Sequence, residues 1–64
     1  MCLSTVYKVD GDNREKMFSN IQNVIADSET GELTFQDIMG ARYAVSGKIK
    51  NIDLIGNKIE IVEN

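Results

Sequence analysis

The sequence predicts an all-β fold, a small barrel or sandwich of short strands. Three observations carry that prediction. Turn-forming clusters recur about every eight to twelve residues along the 64-residue chain, the spacing of small all-β domains. The segments between them are rich in β-branched and aromatic residues, and several alternate apolar with polar side chains. The chain contains no proline.

Residues 2–9 read Cys-Leu-Ser-Thr-Val-Tyr-Lys-Val and form the clearest strand. Leu3, Thr5, Tyr7 and Val9 share one face by strict alternation, and Cys2, Ser4, Val6 and Lys8 share the other. Asp10-Gly11-Asp12-Asn13 ends it, because Asp, Asn and Gly tolerate the dihedrals of tight turns. Residues 14–28 admit two readings. Met17, Ile21, Val24 and Ile25 recur at the spacing of an amphipathic helix. Phe18 lies off that stripe, and Asn20 and Asn23 are poor helix interiors. Ser19-Asn20 can instead turn between two short strands at residues 16–18 and 22–26.

Ser28-Glu29-Thr30-Gly31-Glu32 is the next turn. Residues 33–38 then alternate Leu33, Phe35 and Asp37 against Thr34, Gln36 and Ile38. Met39-Gly40-Ala41 interrupts this strand with a bend at Gly40. Residues 42–47 form another short strand, and residues 48–54 follow with a change of face near Asn51. Ile55-Gly56-Asn57 is the last turn. Residues 58–63 close the chain, with Ile59 and Ile61 inward and Lys58 and Glu60 outward.

At this length the chain is a single domain spanning residues 1–64. Such a chain buries only about 60% of the surface its unfolded form exposes. Small scaffolds of this kind call for a staple, a metal or a partner subunit. One cysteine permits no intrachain disulfide, so a homodimer is the simplest support, and two-fold dimers are the commonest oligomers.

Seven basic against ten acidic residues give a net charge of −3, which disfavours nucleic acid as a partner. The basic residues concentrate late in the chain, as Arg42, Lys48, Lys50 and Lys58 against Asp53 alone between residues 41 and 58. No apolar run reaches the ~18 residues of a membrane helix. No basic-then-apolar leader is visible, so a cytoplasmic protein without membrane contact is expected. The chain has no histidine, no nucleophile motif and no phosphate-cradling glycine loop. It is also too short to shape a roomy substrate pocket alone, and an enzyme is not expected.

The residue with the most chemistry is Cys2, the one thiol in the chain. Beside it stand two nitrogen donors, the α-amine and the next backbone amide. Thiolate and nitrogen donors together favour a square-planar ion such as Ni²⁺ or Cu²⁺. The plain alternative is a half-buried thiol that behaves as a small hydrophobe. Leu3 reads as core, and Ser4 shares a face with Cys2. Asp10-Gly11-Asp12 lacks the spaced acidic ligands of a calcium loop and reads as a solvated turn. Asp37 and Asp53 could pair, but nothing in the sequence brings them together. Tyr7, Phe18, Phe35 and Tyr43 read as core rather than as stacking platforms for bases.

The Met1-Cys2 start, the strand carrying Tyr7, Asp37-Ile38-Met39-Gly40, Val45, Gly47-Lys48-Ile49, Ile52-Asp53-Leu54-Ile55 and Asn57-Lys58-Ile59 together resemble the CooT family. These are small nickel-binding proteins of carbon monoxide dehydrogenase maturation. The resemblance covers essentially the whole chain. It implies an SH3-like β-barrel of about six short strands, with residues 16–26 as two of them. It also implies a homodimer with one Ni²⁺ shared by the Cys2 residues of two copies. Cys2 is the one ligand that carries over, with nitrogen from the Cys2 or the Met1 backbone. The expected role is a metallochaperone or nickel reservoir, with carbon monoxide dehydrogenase as a possible client. The competing expectation is an RNA- or protein-binding SH3-like module without metal.

Overall fold

The computed structural model describes residues 3–64. It contains five strands and no helix: β1 (Ser4–Asp10), β2 (Asn13–Asp27), β3 (Glu32–Asp37), β4 (Arg42–Asp53) and β5 (Lys58–Glu63). They form a closed barrel in chain order. Four neighbouring pairs are antiparallel, and a parallel pairing of β1 with β5 closes the ring. Closure removes the exposed sheet edges that a small open sheet would leave.

The all-β expectation therefore holds, with five strands rather than about six. The count falls because residues 14–27 are one bent strand, neither a helix nor two short strands. β2 runs for 15 residues. Its residues Asn13–Ile21 pair with β1, and those from Ile21 to Asp27 pair with β3. Asn20 takes a positive φ of 58°, which asparagine tolerates better than most residues. A register shift follows between Ile21 and Asn23. The pair bends the strand sharply without ending it, as bulges do. This bend also explains the helix-like spacing of apolar residues, since a bulge resets the two-residue alternation.

The same device acts in β4. Residues 42–47 and 48–54, read as separate short strands, are one strand of 12 residues. Its first half pairs with β3 and its second with β5, with an irregularity between Ile49 and Asn51. The change of face expected near Asn51 is this bulge. In β1, register shifts between Ser4 and Val6 and between Val6 and Tyr7 break the strict alternation. Val6 and Val9 are both buried as a result.

The core is small. Val6, Val9, Ile21, Leu33, Phe35, Ile59 and Ile61 are its buried apolar residues. Phe35, fully buried, lies at its centre, and Phe18 packs 5.6 Å from it between ring centroids. Phe18 also stacks on Tyr43 at 4.6 Å. Phe18 and Tyr43 are half-buried at the edge of this cluster, so three of the four aromatics serve packing. The fourth, Tyr7, lies under the Arg14 guanidinium at 4.7 Å. Outside, Lys8 bridges Glu15 of β2 and Glu63 of β5 at 3.6 and 3.5 Å, across both seams of β1.

Candidate functional site

The beginning of β1 lies at one mouth of the barrel, and pairing shows what gathers there. Ser4 is opposite Ile21, and Ile21 is opposite Asp37. The Ile38 amide donates to the Asn20 carbonyl at 2.9 Å. On the other side, the Thr5 amide donates to the Asn57 carbonyl at 2.9 Å, and Thr5 pairs with Lys58 of β5. The chain start, the Asn20 bend, the β3–β4 loop and the β4–β5 loop therefore share one end of the molecule.

The two loops are built alike. Asp37-Ile38-Met39-Gly40 and Asp53-Leu54-Ile55-Gly56 share a pattern of aspartate, two large apolar residues and glycine. Asp37 Oδ1 accepts the amides of Met39 at 2.9 Å and Ala41 at 3.0 Å. Asp53 Oδ1 accepts those of Ile55 at 3.1 Å and Gly56 at 2.9 Å. Each aspartate thus satisfies its own loop's backbone, as Asx turns do. Gly40 supplies a φ of 87°. Gly56 leaves room for the carboxylate, since a Cβ there would lie 2.6 Å from Asp53 Oδ2.

Asp37 has one further partner, the Tyr43 hydroxyl, which donates to Oδ2 at 3.0 Å. Desolvation by the surrounding loop pushes the Asp37 pKa up. The hydrogen bonds from Tyr43 and from the amides of Ala41, Met39 and Gly40 pull it down and together prevail, leaving it below the usual 3.8. The same contact raises the Tyr43 pKa, through the hydrogen bond first and the carboxylate charge second.

Because their carboxylates are bound within separate loops, Asp37 and Asp53 share an end of the barrel without forming an acid pair. Their backbone-bound tips display apolar side chains to solvent. Ile38 and Ile52 are about half exposed, Met39 is 87%, Leu54 81% and Ile55 97% exposed. The opposite mouth provides a contrast. There Asp27 caps its loop through the Glu29 and Thr30 amides at 2.9 and 3.3 Å, but the tip is Ser28-Glu29-Thr30, all polar.

Cys2, the predicted metal ligand, lies outside the described residues, as does Met1. Leu3 and Ser4, which follow it, are half-buried. Among the described residues no group of three or more histidine, cysteine, aspartate or glutamate side chains could hold a metal ion. Asp10 and Asn13 pair across the tight β1–β2 hairpin at the far mouth, in keeping with a turn rather than a calcium loop. A concavity of about 340 Å³ opens at that mouth between Ala26, Leu33, Gly47 and Ile49, edged by Asp27 and Lys48. It falls at the small end of ligand-sized clefts. It does not adjoin the chain start. The apolar loop tips were not singled out from the sequence. The repeated aspartate–apolar–apolar–glycine pattern was the available signal, because large apolar residues are out of place in turns.

Residues 1–62 match the family described as CO dehydrogenase accessory protein CooT. The chain belongs to the CooT family. The match includes Cys2 and both apolar loops, and an accessory role is what the CooT description states. The barrel also superposes on the crystal structure of a candidate CooT from Carboxydothermus hydrogenoformans. The TM-score is 0.86, at 25% identity over 98% of each chain. Among curated proteins none matches. Among the described residues no helix is long and apolar enough to cross a membrane.

Proposed function

We propose that this CooT-family chain carries Ni²⁺ as cargo for maturation of a carbon monoxide dehydrogenase type of enzyme, with one ion held between the Cys2 residues of two copies. The observation that carries the proposal is the family match, which spans residues 1–62 and includes Cys2. Donor chemistry supports it. The chain has one cysteine and no histidine, and the described carboxylates form no ligand cluster. A thiolate site therefore has to use Cys2. One thiolate with an adjacent nitrogen closes a five-membered chelate ring, and two copies supply S₂N₂, a planar strong-field set suited to Ni²⁺. The nitrogen is the Cys2 amine if Met1 is removed, and the Met1 amine or Cys2 amide if it is retained. The donors must lose protons to bind, so affinity falls in acid. Donors at a chain end, rather than within a closed cage, suit transfer to a client by ligand exchange.

The test is a Ni²⁺ titration of the wild type and Cys2→Ser, followed by thiolate-to-nickel charge-transfer absorption and by native mass spectrometry. The expected result is one ion per two chains for the wild type and loss of the absorption in the variant. Undiminished uptake by Cys2→Ser, or one ion per chain, overturns the shared-thiolate site.

A further inference from the structure

We propose that the edge of β4 beyond Gly47 is a peptide-docking site. Its occupant is an extended segment of a partner protein in which acidic and apolar residues alternate. The segment adds a strand beside β4 and seats one apolar side chain in the adjoining hollow.

The open edge follows from the bend in β4. The ring is closed in strand order, but each half of β4 serves one neighbour. Arg42–Ser46 pair with β3, and the residues from Gly47 to Asp53 pair with β5. Gly47 still reaches the β2–β3 loop, where its amide donates to the Gly31 carbonyl at 3.0 Å. Past that contact, β4 has β5 on one side and no paired strand on the other among the described residues. The hydrogen bonds show which residue presents its backbone there. The Asn64 amide donates to the Ser46 carbonyl at 3.0 Å, which makes those two a bonded pair. Bonded and non-bonded pairs alternate along an antiparallel ladder. Lys48 and Val62 are then the next bonded pair. Ile49, opposite Ile61, turns its amide and carbonyl away from β5. An unpaired edge of this kind is a template for another strand.

Two further observations define the occupant. The hollow of about 340 Å³ lies against this edge and is lined by Ala26, Leu33 and Ile49. It has room for one large apolar side chain. Outside, Lys48 and Lys50 flank Ile49 and are exposed. Neither has an ion-pair partner among the described residues. Asp27, on the rim of the hollow, instead accepts the Glu29 and Thr30 amides. A strand laid on this edge points successive side chains to opposite faces. One beside Ile49 enters the hollow, and its two neighbours lie against the lysines. Carboxylates at those neighbours make favourable cross-strand charge pairs. On the other edge, β5 has the same alternation, with Ile59 and Ile61 buried and Glu60 outward beside Arg14. Two lysines beside an apolar hollow, on a chain of net charge −3, favour an acidic peptide over nucleic acid.

The hollow does not adjoin the chain start, and the docking needs neither Cys2 nor metal. It therefore stands or falls independently of the nickel reading.

The experiment is amide exchange by NMR and calorimetric titration of the full chain, with chelator present. The probes are two capped synthetic peptides, one alternating glutamate with valine and one alternating lysine with valine. In the free chain, the Ile49 amide is expected to exchange at least tenfold faster than that of Lys48. The glutamate–valine peptide binds and slows Ile49 exchange, and the lysine–valine peptide does not bind. The Lys48→Glu, Lys50→Glu double variant binds at least tenfold more weakly. Ala26→Phe, which fills the hollow from an exposed position, does the same. Cys2→Ser binds as the wild type does. The double variant changes only exposed side chains, so circular dichroism should confirm its fold and it carries the test even where Ala26→Phe fails to fold. An Ile49 amide as protected as that of Lys48 in the free chain overturns the open edge. Binding of neither peptide, equal binding of both, or undiminished binding by the double variant overturns the docking site. Tighter binding of poly(U) than of the glutamate–valine peptide overturns it as well.

Discussion

Asp37 shows how much one side chain can organise. Its carboxylate receives two loop amides and the Tyr43 hydroxyl, so a strand end, a turn and the first residues of β4 are tied to one charge. Because its folded pKa is depressed, the ionised form contributes stability that is fully present above the ordinary value of 3.8. That contribution is lost as the pH falls through the lower folded value. Tyr43→Phe keeps the stack on Phe18 and removes the donor. The Asp37 carboxyl should then titrate closer to its ordinary value by NMR, and the acid-side dependence of stability should become shallower. An unmoved Asp37 titration would show that the loop amides alone set the pKa. The sequence identified Asp37 as a candidate but could not give its role, which depends on a tyrosine and a loop closure that only the β3–β4 register brings within reach. Cys2 could be singled out as a candidate for the opposite reason. Its uniqueness as a thiol is a property of composition and needs no fold.

At the scale of elements, the bends matter more than the strands. Periodicity identified Ile59 and Ile61 as inward, and set Leu33 and Phe35 on one face, because β3 and β5 are short and keep an unbroken alternation. It misled along β2 and β4, where Asn20 and the bulge before Asn51 fold one strand across two neighbours. A long bent strand and two short ones separated by a turn carry nearly the same residue pattern; pairing partners distinguish them. The loops offer a sharper test. Gly40→Ala meets no atom within 4 Å, so its cost is purely the left-handed backbone, about 1–2 kcal/mol. Gly56→Ala instead pushes on the Asp53 carboxylate. In urea melts, Gly40→Ala should lower the midpoint whether or not Asp53 is present. Gly56→Ala should cost less in an Asp53→Ala background than in the wild type, a non-additivity expected of groups in direct contact. Additive costs for the second pair would mean that the carboxylate moves aside freely.

For the whole molecule, the ring of five strands closes between the first and the last. β1 and β5 are far apart in sequence, so loop-closure entropy opposes the step that completes the barrel. Folding in the millisecond-to-second range of all-β domains follows from such non-local pairing. With no proline in the chain, refolding should lack the tens-of-seconds phase of peptide-bond isomerisation. Stopped-flow refolding followed by tyrosine fluorescence checks both statements; a major slow phase independent of protein concentration would contradict the second. The marginal core was legible in length alone. The asymmetry between an apolar and a polar mouth was not, because it depends on which loops the topology gathers at each end.

The parallel seam between β1 and β5 also gives the molecule a fixed polarity. Adjacent strands running the same way place Leu3 and Asn64 at opposite poles, separated by about the length of a strand. A label or surface tether fused after Asn64 would therefore stand clear of the pole where β1 begins and point it toward solution. A tag fused ahead of Met1 would instead crowd the apolar tips and the proposed metal donors at the chain start. Preparations that differ only in the end carrying the tag should behave as different proteins in metal uptake, while their barrels melt alike.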